Sequence, residues 1–221
     1  MAKTDVTNDS WERCPKPYDS VILANGDYPT HPIPLSILHN ASHLICCDGA
    51  ATQLLLYNIT PDAIVGDGDS LLPPFKKQFS HLVHIIDEQE YNDLTKATRF
   101  AIQQGFKTIA YLGCTGKRED HTLGNISLLS FYQREFHIQP VMYTDHGTFI
   151  PCQGIQTLPS FPRQQVSIFN LTATALTSEG LRWQSYPYRE WWQGTLNESL
   201  ADTFTIHADG DYIVFQTYKG K

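Results

Sequence analysis

The sequence predicts an α/β fold: an N-terminal, mostly parallel-sheet, three-layer domain followed by a small C-terminal antiparallel β-sandwich. Three observations predict it. Up to about residue 146, short continuously apolar runs alternate with segments of helical period, as in strands buried on both faces of a parallel sheet. The polar clusters of this half directly follow those runs, at strand ends, where open α/β sheets bind ligands. From Gly147 to Pro151 onward, strand-length runs are separated by turns and no helical period is sustained. The expected division is residues 1–147 and 148–221.

Each element follows from local pattern. Val21–Ala24 reads as a first buried strand, ending in Asn25-Gly26-Asp27, and a Pro-rich loop runs through Pro29, Pro32 and Pro34. His43–Cys47 is a second strand, broken by Asp48-Gly49. Ala50–Tyr57 has its apolar residues spaced for one helix face. Ala63–Val65 is a third strand, residues 74–79 a short helix, and Leu82–Ile86 a fourth strand. Asn92 caps a helix whose buried face is Leu94, Ala97, Ala101 and Ile102, with Gly105 as its stop. Thr108–Leu112 is a strand ending in Gly113-Cys114-Thr115-Gly116. A helix over Thr122–Gln133 and a strand over Val141–Thr144 complete the first half. In the second half, strands are expected at Gln165–Asn170, Leu176–Trp183, Asp202–His207 and Tyr212–Thr217. Asp209-Gly210 reads as a hairpin turn between the last two.

Composition narrows the function classes. The formal net charge of -7 argues against a nucleic-acid binder, which usually shows a basic face. No apolar run approaches membrane-spanning length. Residues 1–19 are polar, with no hydrophobic signal core, and read as a leader to the fold. The five cysteines, at 14, 46, 47, 114 and 152, form no Cys-x-x-Cys pair and read as reduced residues of a cytoplasmic protein.

The chemistry centres on Asp62 to Ser70, Asp-Ala-Ile-Val-Gly-Asp-Gly-Asp-Ser. On extended backbone Asp67 and Asp69 aim two carboxylates the same way. Convergent carboxylates repel unless a cation lies between them. A hard divalent ion such as Mg²⁺ suits so few carboxylates because water and phosphate oxygens complete its shell. The residues alone admit two readings, a Mg²⁺–nucleotide site or a polar turn. Gly113 to Arg118 has the wrong spacing for Gly-x-x-x-x-Gly-Lys-Ser/Thr. It still offers Gly-rich backbone before a helix, with Lys117 and Arg118 adding positive charge. Phosphate contact or a solvated turn both fit. Lys96, one turn after Asp93, reads as a helix ion pair or a phosphate contact. His121, beside Asp120, reads as a helix cap or a base or phosphate contact. Trp183 reads as core or rim, or as a face stacked on a flat cationic heteroaromatic.

Taken together in order, several segments resemble thiamine pyrophosphokinase. They are Ile22-Leu23-Ala24-Asn25-Gly26, Cys47 to Ala51, Pro61 to Ser70, Glu88 to Ala97, Leu112-Gly113, Arg118 to His121, and Asn125-Ile126. The C-terminal Gly180-Leu181-Arg182-Trp183 and Gly194 to Glu198 also match. The resemblance implies pyrophosphoryl transfer from ATP to the thiamine hydroxyl with Mg²⁺, giving thiamine diphosphate and AMP. It implies a homodimer with shared active sites, a catalytic domain over residues 1–147 and a thiamine-binding and dimerisation domain over 148–221. It places Asp67, Asp69 and Asp93 at the metal, with Asp48 nearby. It puts Asn25, Lys96, Arg118, Asp120 and His121 around ATP, and Gln89, Ser178 and Trp183 at thiamine. The chain departs from the family pattern at Gly68, where an aromatic is usual, at Glu88 and Glu90, where aspartates are usual, and at Lys117, where glycine is usual. Two other readings compete: a Mg²⁺–ATP phosphotransferase acting on another hydroxyalkyl heterocycle, and a non-catalytic nucleotide or thiamine sensor.

Overall fold

In the computed structural model, which describes residues 17–67, 73–88 and 90–221, strands and helices alternate through the first half. The strands are β1 (Ser20–Leu23), β2 (Leu44–Cys47), β3 (Ala63–Gly66), β4 (Val83–Ile85), β5 (Thr108–Leu112) and β6 (Gln139–Tyr143). The helices are α1 (Pro32–His39), α2 (Asp48–Leu56), α3 (Pro73–Gln78), α4 (Asp93–Gln103) and α5 (Glu119–Phe136). The six strands pair in parallel in the order β6-β5-β1-β2-β3-β4. Chain order therefore reverses between β1 and β5.

Alternate residues of these strands feed two separate cores, the consequence of a two-residue side-chain period. Ile22, Ile45, Val65 and Tyr111 meet α4 and α5 through Leu94, Ala97, Leu129 and Tyr132. Val21, Leu23, Cys46, Ile64 and Leu112 meet α1 and α2 through Ile37, Leu38, Ala50 and Leu54. The sheet is thus covered on both faces, as expected. Each fully buried Ile or Leu here contributes about 1.5–3 kcal/mol, so the central strands are rigid supports for whatever follows them.

Three details differ from the sequence reading. The Pro-rich segment is not all loop, because α1 begins at Pro32. A proline in the first turn loses no helical hydrogen bond, since first-turn N–H groups have no partner within the helix. His31 caps α1, its Nδ1 accepting from the Ile33 N–H at 3.3 Å. Asp48 and Gly49 end β2 as expected, but they also open α2, which starts two residues before the expected Ala50. Likewise α5 starts at Glu119, so Asp120 and His121 lie in its first turn. The Asn92 cap of α4 stands as expected, with Oδ1 accepting from the Thr95 N–H at 3.0 Å. Gly105, just past α4, has φ +89.

The second half contains β7 (Gly147–Gln153), β8 (Gln156–Pro159), β9 (Gln164–Asn170), β10 (Leu176–Glu179), β11 (Asn197–Glu198), β12 (Thr203–Ala208) and β13 (Asp211–Gly220). β7 pairs antiparallel with β6 through Met142↔Phe149 and Tyr143↔Thr148. The parallel sheet therefore continues into the second half as β6-β7-β13-β9-β11, ten strands in all. A separate antiparallel sheet, β10-β12-β8, packs on its far end. Val166, Ile168, Tyr212 and Val214 from the long sheet meet Leu158, Leu176, Phe204 and Ile206 from the short one.

The expected hairpin at Asp209-Gly210 is overturned. β12 belongs to the short sheet and β13 to the long one, so the strands flanking the turn do not pair. The turn is an inter-sheet corner. Asp209 holds it by accepting from the Thr174 and Ala175 N–H groups at 2.7 and 2.9 Å. The strand expected over Leu176–Trp183 stops at Glu179, because Gly180 turns the chain with φ +78. Trp183 is consequently not part of a core strand.

Candidate active site

The five strand-end clusters come from five adjacent strands, β5-β1-β2-β3-β4, and all lie at their carboxyl ends. The site therefore straddles the point between β1 and β5 where chain order reverses. At such a point successive loops leave toward opposite faces of the sheet and open a crevice.

On the β5–β1 side the two loops are tied by backbone. The Gly26 N–H donates to the Gly113 carbonyl at 2.6 Å, and the Asp27 N–H to the Thr115 carbonyl at 2.8 Å. A Cβ on Gly26 would lie 2.3 Å from the Thr115 oxygen, so only glycine allows this approach. Lys117 reaches back across the crevice. Its Nζ donates to the Asn25 carbonyl at 2.9 Å and to Asn25 Oδ1 at 3.0 Å. The Asn25 amide also packs on Gly49, where a Cβ would lie 2.2 Å from its Nδ2, so Asn25 bridges the β1 end and the start of α2. Arg118 precedes α5 and donates to Asp120 through Nε at 3.0 Å and Nη2 at 2.5 Å. This two-pronged bond holds the Asp120 carboxyl below the usual carboxylate range and raises the guanidinium further. Asp120 Oδ1 also accepts from the His121 N–H at 2.9 Å. Arg118, Asp120 and His121 are all exposed.

The β2–β3–β4 side is acidic and more enclosed. Asp48, at the end of β2, is only 1% exposed. A Cβ on Gly66 would lie 2.5 Å from the Asp48 Cβ, so the bare backbone of β3 is what lets Asp48 fit beside it. Asp67, half-buried, follows Gly66 directly. Asp93 opens α4, where the helix dipole favours a carboxylate. Burial pushes the Cys47 thiol up most, and Cys114, Asp93 and Asp48 all push it further. Lys96 lies one turn below Asp93, with Nζ 3.7 Å from Asp93 Oδ1, and its side chain is only 4% exposed. A buried ammonium is costly without compensation, so Lys96 is no ordinary surface helix pair.

Glu88, at the end of β4, adds an acceptor. Its Oε2 takes the Glu90 and Tyr91 N–H groups at 3.0 and 3.3 Å. Its Oε1 is buried without a hydrogen-bond partner among the described residues. Among those residues no group of three His, Cys, Asp or Glu is gathered closely enough to hold a metal ion. Asp69 and Gln89, both expected at the site, lie outside the described residues.

The remaining expected residues sit in the second half. Ser178, on β10, is buried and accepts from the Ser185 N–H at 3.1 Å. Trp183 is 51% exposed, which rules out the core and leaves the rim or a ligand-stacking face. Its backbone is clamped by Asn197, whose Oδ1 accepts from the Trp183 N–H at 3.1 Å and whose Nδ2 donates to the Trp183 carbonyl at 2.7 Å. Arg182 stacks over the indole at 5.2 Å. Among the described residues no hydrogen bond or ion pair joins Ser178 or Trp183 to the strand-end groups of the same chain. Asn125 and Asn197 fall in segments that carry the resemblance, but the sequence assigns neither a role, because each acts on backbone groups more than ten residues away.

Comparison with known proteins follows the same two halves. Residues 35–140 match the family model for the thiamin pyrophosphokinase catalytic domain, and residues 147–215 that for its substrate-binding domain. Thiamine pyrophosphokinase 1 of Oryza sativa subsp. japonica is 38% identical over 110 residues, spanning 38% of this chain and 42% of that protein. Thiamine pyrophosphokinase 3 of the same plant is 35% identical over 82 residues, spanning 33% of this chain and 31% of its own length. These matches thus span less than half of either relative. Among solved structures, thiamine pyrophosphokinase from Bacillus subtilis superposes with a TM-score of 0.73 at 20% identity, covering 90% of this chain and 98% of that one. Thiamin pyrophosphokinase from Candida albicans superposes with a TM-score of 0.73 at 17% identity, covering 91% and 90%. The folds agree over 90% or more of this chain, and with both halves of the family matched in order, this chain belongs to the thiamin pyrophosphokinase family.

Proposed function

We propose that this chain transfers the pyrophosphoryl group of ATP to the hydroxyl of thiamine, yielding thiamine diphosphate and AMP. The observation that most supports the reading is the division of one crevice into an acidic wall and a basic wall. Asp48, Asp67, Asp93 and Glu88 lie at the ends of β2, β3 and β4, and Lys117 and Arg118 at the end of β5. That division suits a polyphosphate carrying a divalent cation. The donor set on the acidic wall is all oxygen, and Glu88 Oε1 is buried and unpartnered among the described residues. Both features fit Mg²⁺, which prefers carboxylates and completes its shell with water and phosphate. In this reading Asp67, Asp69 and Asp93 hold the ion, with Asp48 beside them. When bound, Mg²⁺ neutralises charge developing on the phosphate oxygens.

The protein's own task is chiefly to position. Lys96, held below Asp93, presents a fixed ammonium to the phosphates. Arg118 exchanges its bond with Asp120 for a phosphate, a trade of one two-pronged acceptor for another. Asn25 and His121 flank the nucleotide. Gln89, Ser178 and Trp183 face thiamine, whose thiazolium charge suits the exposed indole. The thiamine hydroxyl attacks the β-phosphorus and AMP leaves.

A homodimer with shared sites belongs to the same proposal. Trp183, Tyr186, Trp191, Trp192, Leu196 and Leu200 all expose large apolar surface within one short stretch. Such a concentration marks an interaction surface, and a second subunit would bring its Trp183 to the first subunit's strand ends. Cytoplasmic placement is supported by the buried free thiols Cys46, Cys47, Cys114 and Cys152. No helix among the described residues is long and apolar enough to cross a membrane. Incubation with ATP, Mg²⁺ and thiamine, followed by mass analysis, tests the activity. Equal yields of AMP and thiamine diphosphate support it; ADP, or no thiamine product, rejects it.

A further inference from the structure

Besides the Lys117–Asn25 link, the two walls are joined through a side chain of α5. Asn125, on α5, donates from Nδ2 to the Cys114 carbonyl at 2.8 Å. Cys114 lies inside the turn that carries Lys117 and Arg118, between Gly113 with φ +61 and Gly116 with φ +80. Asn125 Oδ1 accepts from Asn92 Nδ2 at 3.4 Å. Asn92 in turn caps α4, its Oδ1 accepting from the Thr95 N–H at 3.0 Å and the Thr95 hydroxyl at 2.8 Å. The same hydroxyl meets the Tyr132 hydroxyl of α5 at 2.7 Å. Asp93 follows Asn92 directly, and Lys96 lies one turn on.

We propose that Asn125 is a positioning residue that sets the separation between the Asp93–Lys96 end of α4 and the Gly113–Arg118 turn. An amide suits the place because it offers a donor to one loop and an acceptor to the other. An aspartate would set a carboxylate against the Cys114 carbonyl, and an alanine would release both loops. The role rests on the reading that both loops serve one pyrophosphoryl transfer. For in-line transfer a displacement of about 1 Å costs about 10²-fold in rate, so a strut between the walls acts on turnover more than on binding.

The test compares Asn125→Ala, Asn125→Asp, Asn92→Ala and the double alanine variant with the wild type, at a temperature where all are folded. For Asn125→Ala, kcat falls about 10- to 100-fold and the thiamine KM stays within about twofold. The double variant is no worse than its more impaired single, as expected of two residues acting as one unit. Hydrogen exchange, read without turnover, rises together in segments 92–96 and 113–118. If Asn125→Ala fails to fold, Asn125→Ser, which keeps a hydroxyl near the turn, takes its place. An unchanged kcat, additive losses, or faster exchange confined to α5 overturns the role. A wild type that makes no AMP rejects the transfer reading instead, and the exchange pattern still decides whether Asn125 couples the two loops.

Discussion

Lys96 and Arg118 are cations on opposite walls of the same crevice, yet the chain treats them differently. Lys96 is 4% exposed and faces Asp93, whose side chain is 49% exposed. Arg118 is 67% exposed and bonded to Asp120, two residues away and 63% exposed. The first cation is buried on α4, which packs on β2 and β3. The second is held, among the described residues, by its own neighbour alone, in water, where screening makes such a pair weak. The acidic wall is therefore preorganised and the basic wall exchangeable. In the proposed function a polyphosphate would meet a fixed ammonium and carboxylates on one side and an exchangeable guanidinium on the other.

The comparison predicts opposite stability behaviour. Asp93→Asn removes the counter-charge of a buried ammonium, so it should lower both activity, by about 10²-fold or more, and Tm. Adding Lys96→Met to it should restore Tm while leaving activity lost. Thermal melts and turnover of the single and double variants check this; a Tm unmoved by Asp93→Asn would break the claim that Lys96 depends on it. Lys96→Met alone should cost about 10²-fold in kcat with Tm unchanged or raised, because the half-exposed Asp93 keeps its water.

Arg118→Ala should leave Tm unchanged and raise the ATP KM about thirtyfold, as expected for loss of a charge-assisted phosphate contact. The wild-type ATP KM should rise with salt, and that of the variant less so. Equal loss for ATP and thiamine with a lowered Tm would make Arg118 structural. The smallest effect belongs to the second half. Trp183→Ala should raise the thiamine KM about tenfold, equivalent to ~1.4 kcal/mol, leaving the ATP KM nearly unchanged. Mixing Trp183→Ala with Asp69→Asn subunits should restore activity below the thiamine KM, because one site of the mixed dimer is then fully native. No rescue after verified subunit exchange would sink the shared site.

The sequence reading reached the first half closely because its strands are continuously apolar and each ends in a conspicuous polar cluster. The pairing order that sets those clusters side by side follows from parallel α/β topology. What escaped had physical causes. Pro32 and Pro34 read as loop, although a first helical turn tolerates both. Asp209-Gly210 has the residues of a hairpin, but turn chemistry fixes only the reversal, not which sheet receives the next strand. The burial of Lys96 was invisible because a lysine in an amphipathic helix usually points to water, and burial depends on tertiary packing that no local pattern shows. Asn125 and Asn197 act on backbone groups 11 and 14 residues away, a spacing that no local pattern marks.

Labelling the β-phosphorus of ATP tests the central claim most directly, because it follows the atom that the crevice is proposed to hold between its walls. With thiamine and Mg²⁺ present, the account predicts that the label passes wholly into thiamine diphosphate and that AMP emerges unlabelled. Label recovered in ADP would mean that only the terminal phosphoryl group moves. Label remaining in ATP, with thiamine unchanged, would mean that the crevice does not carry out the transfer.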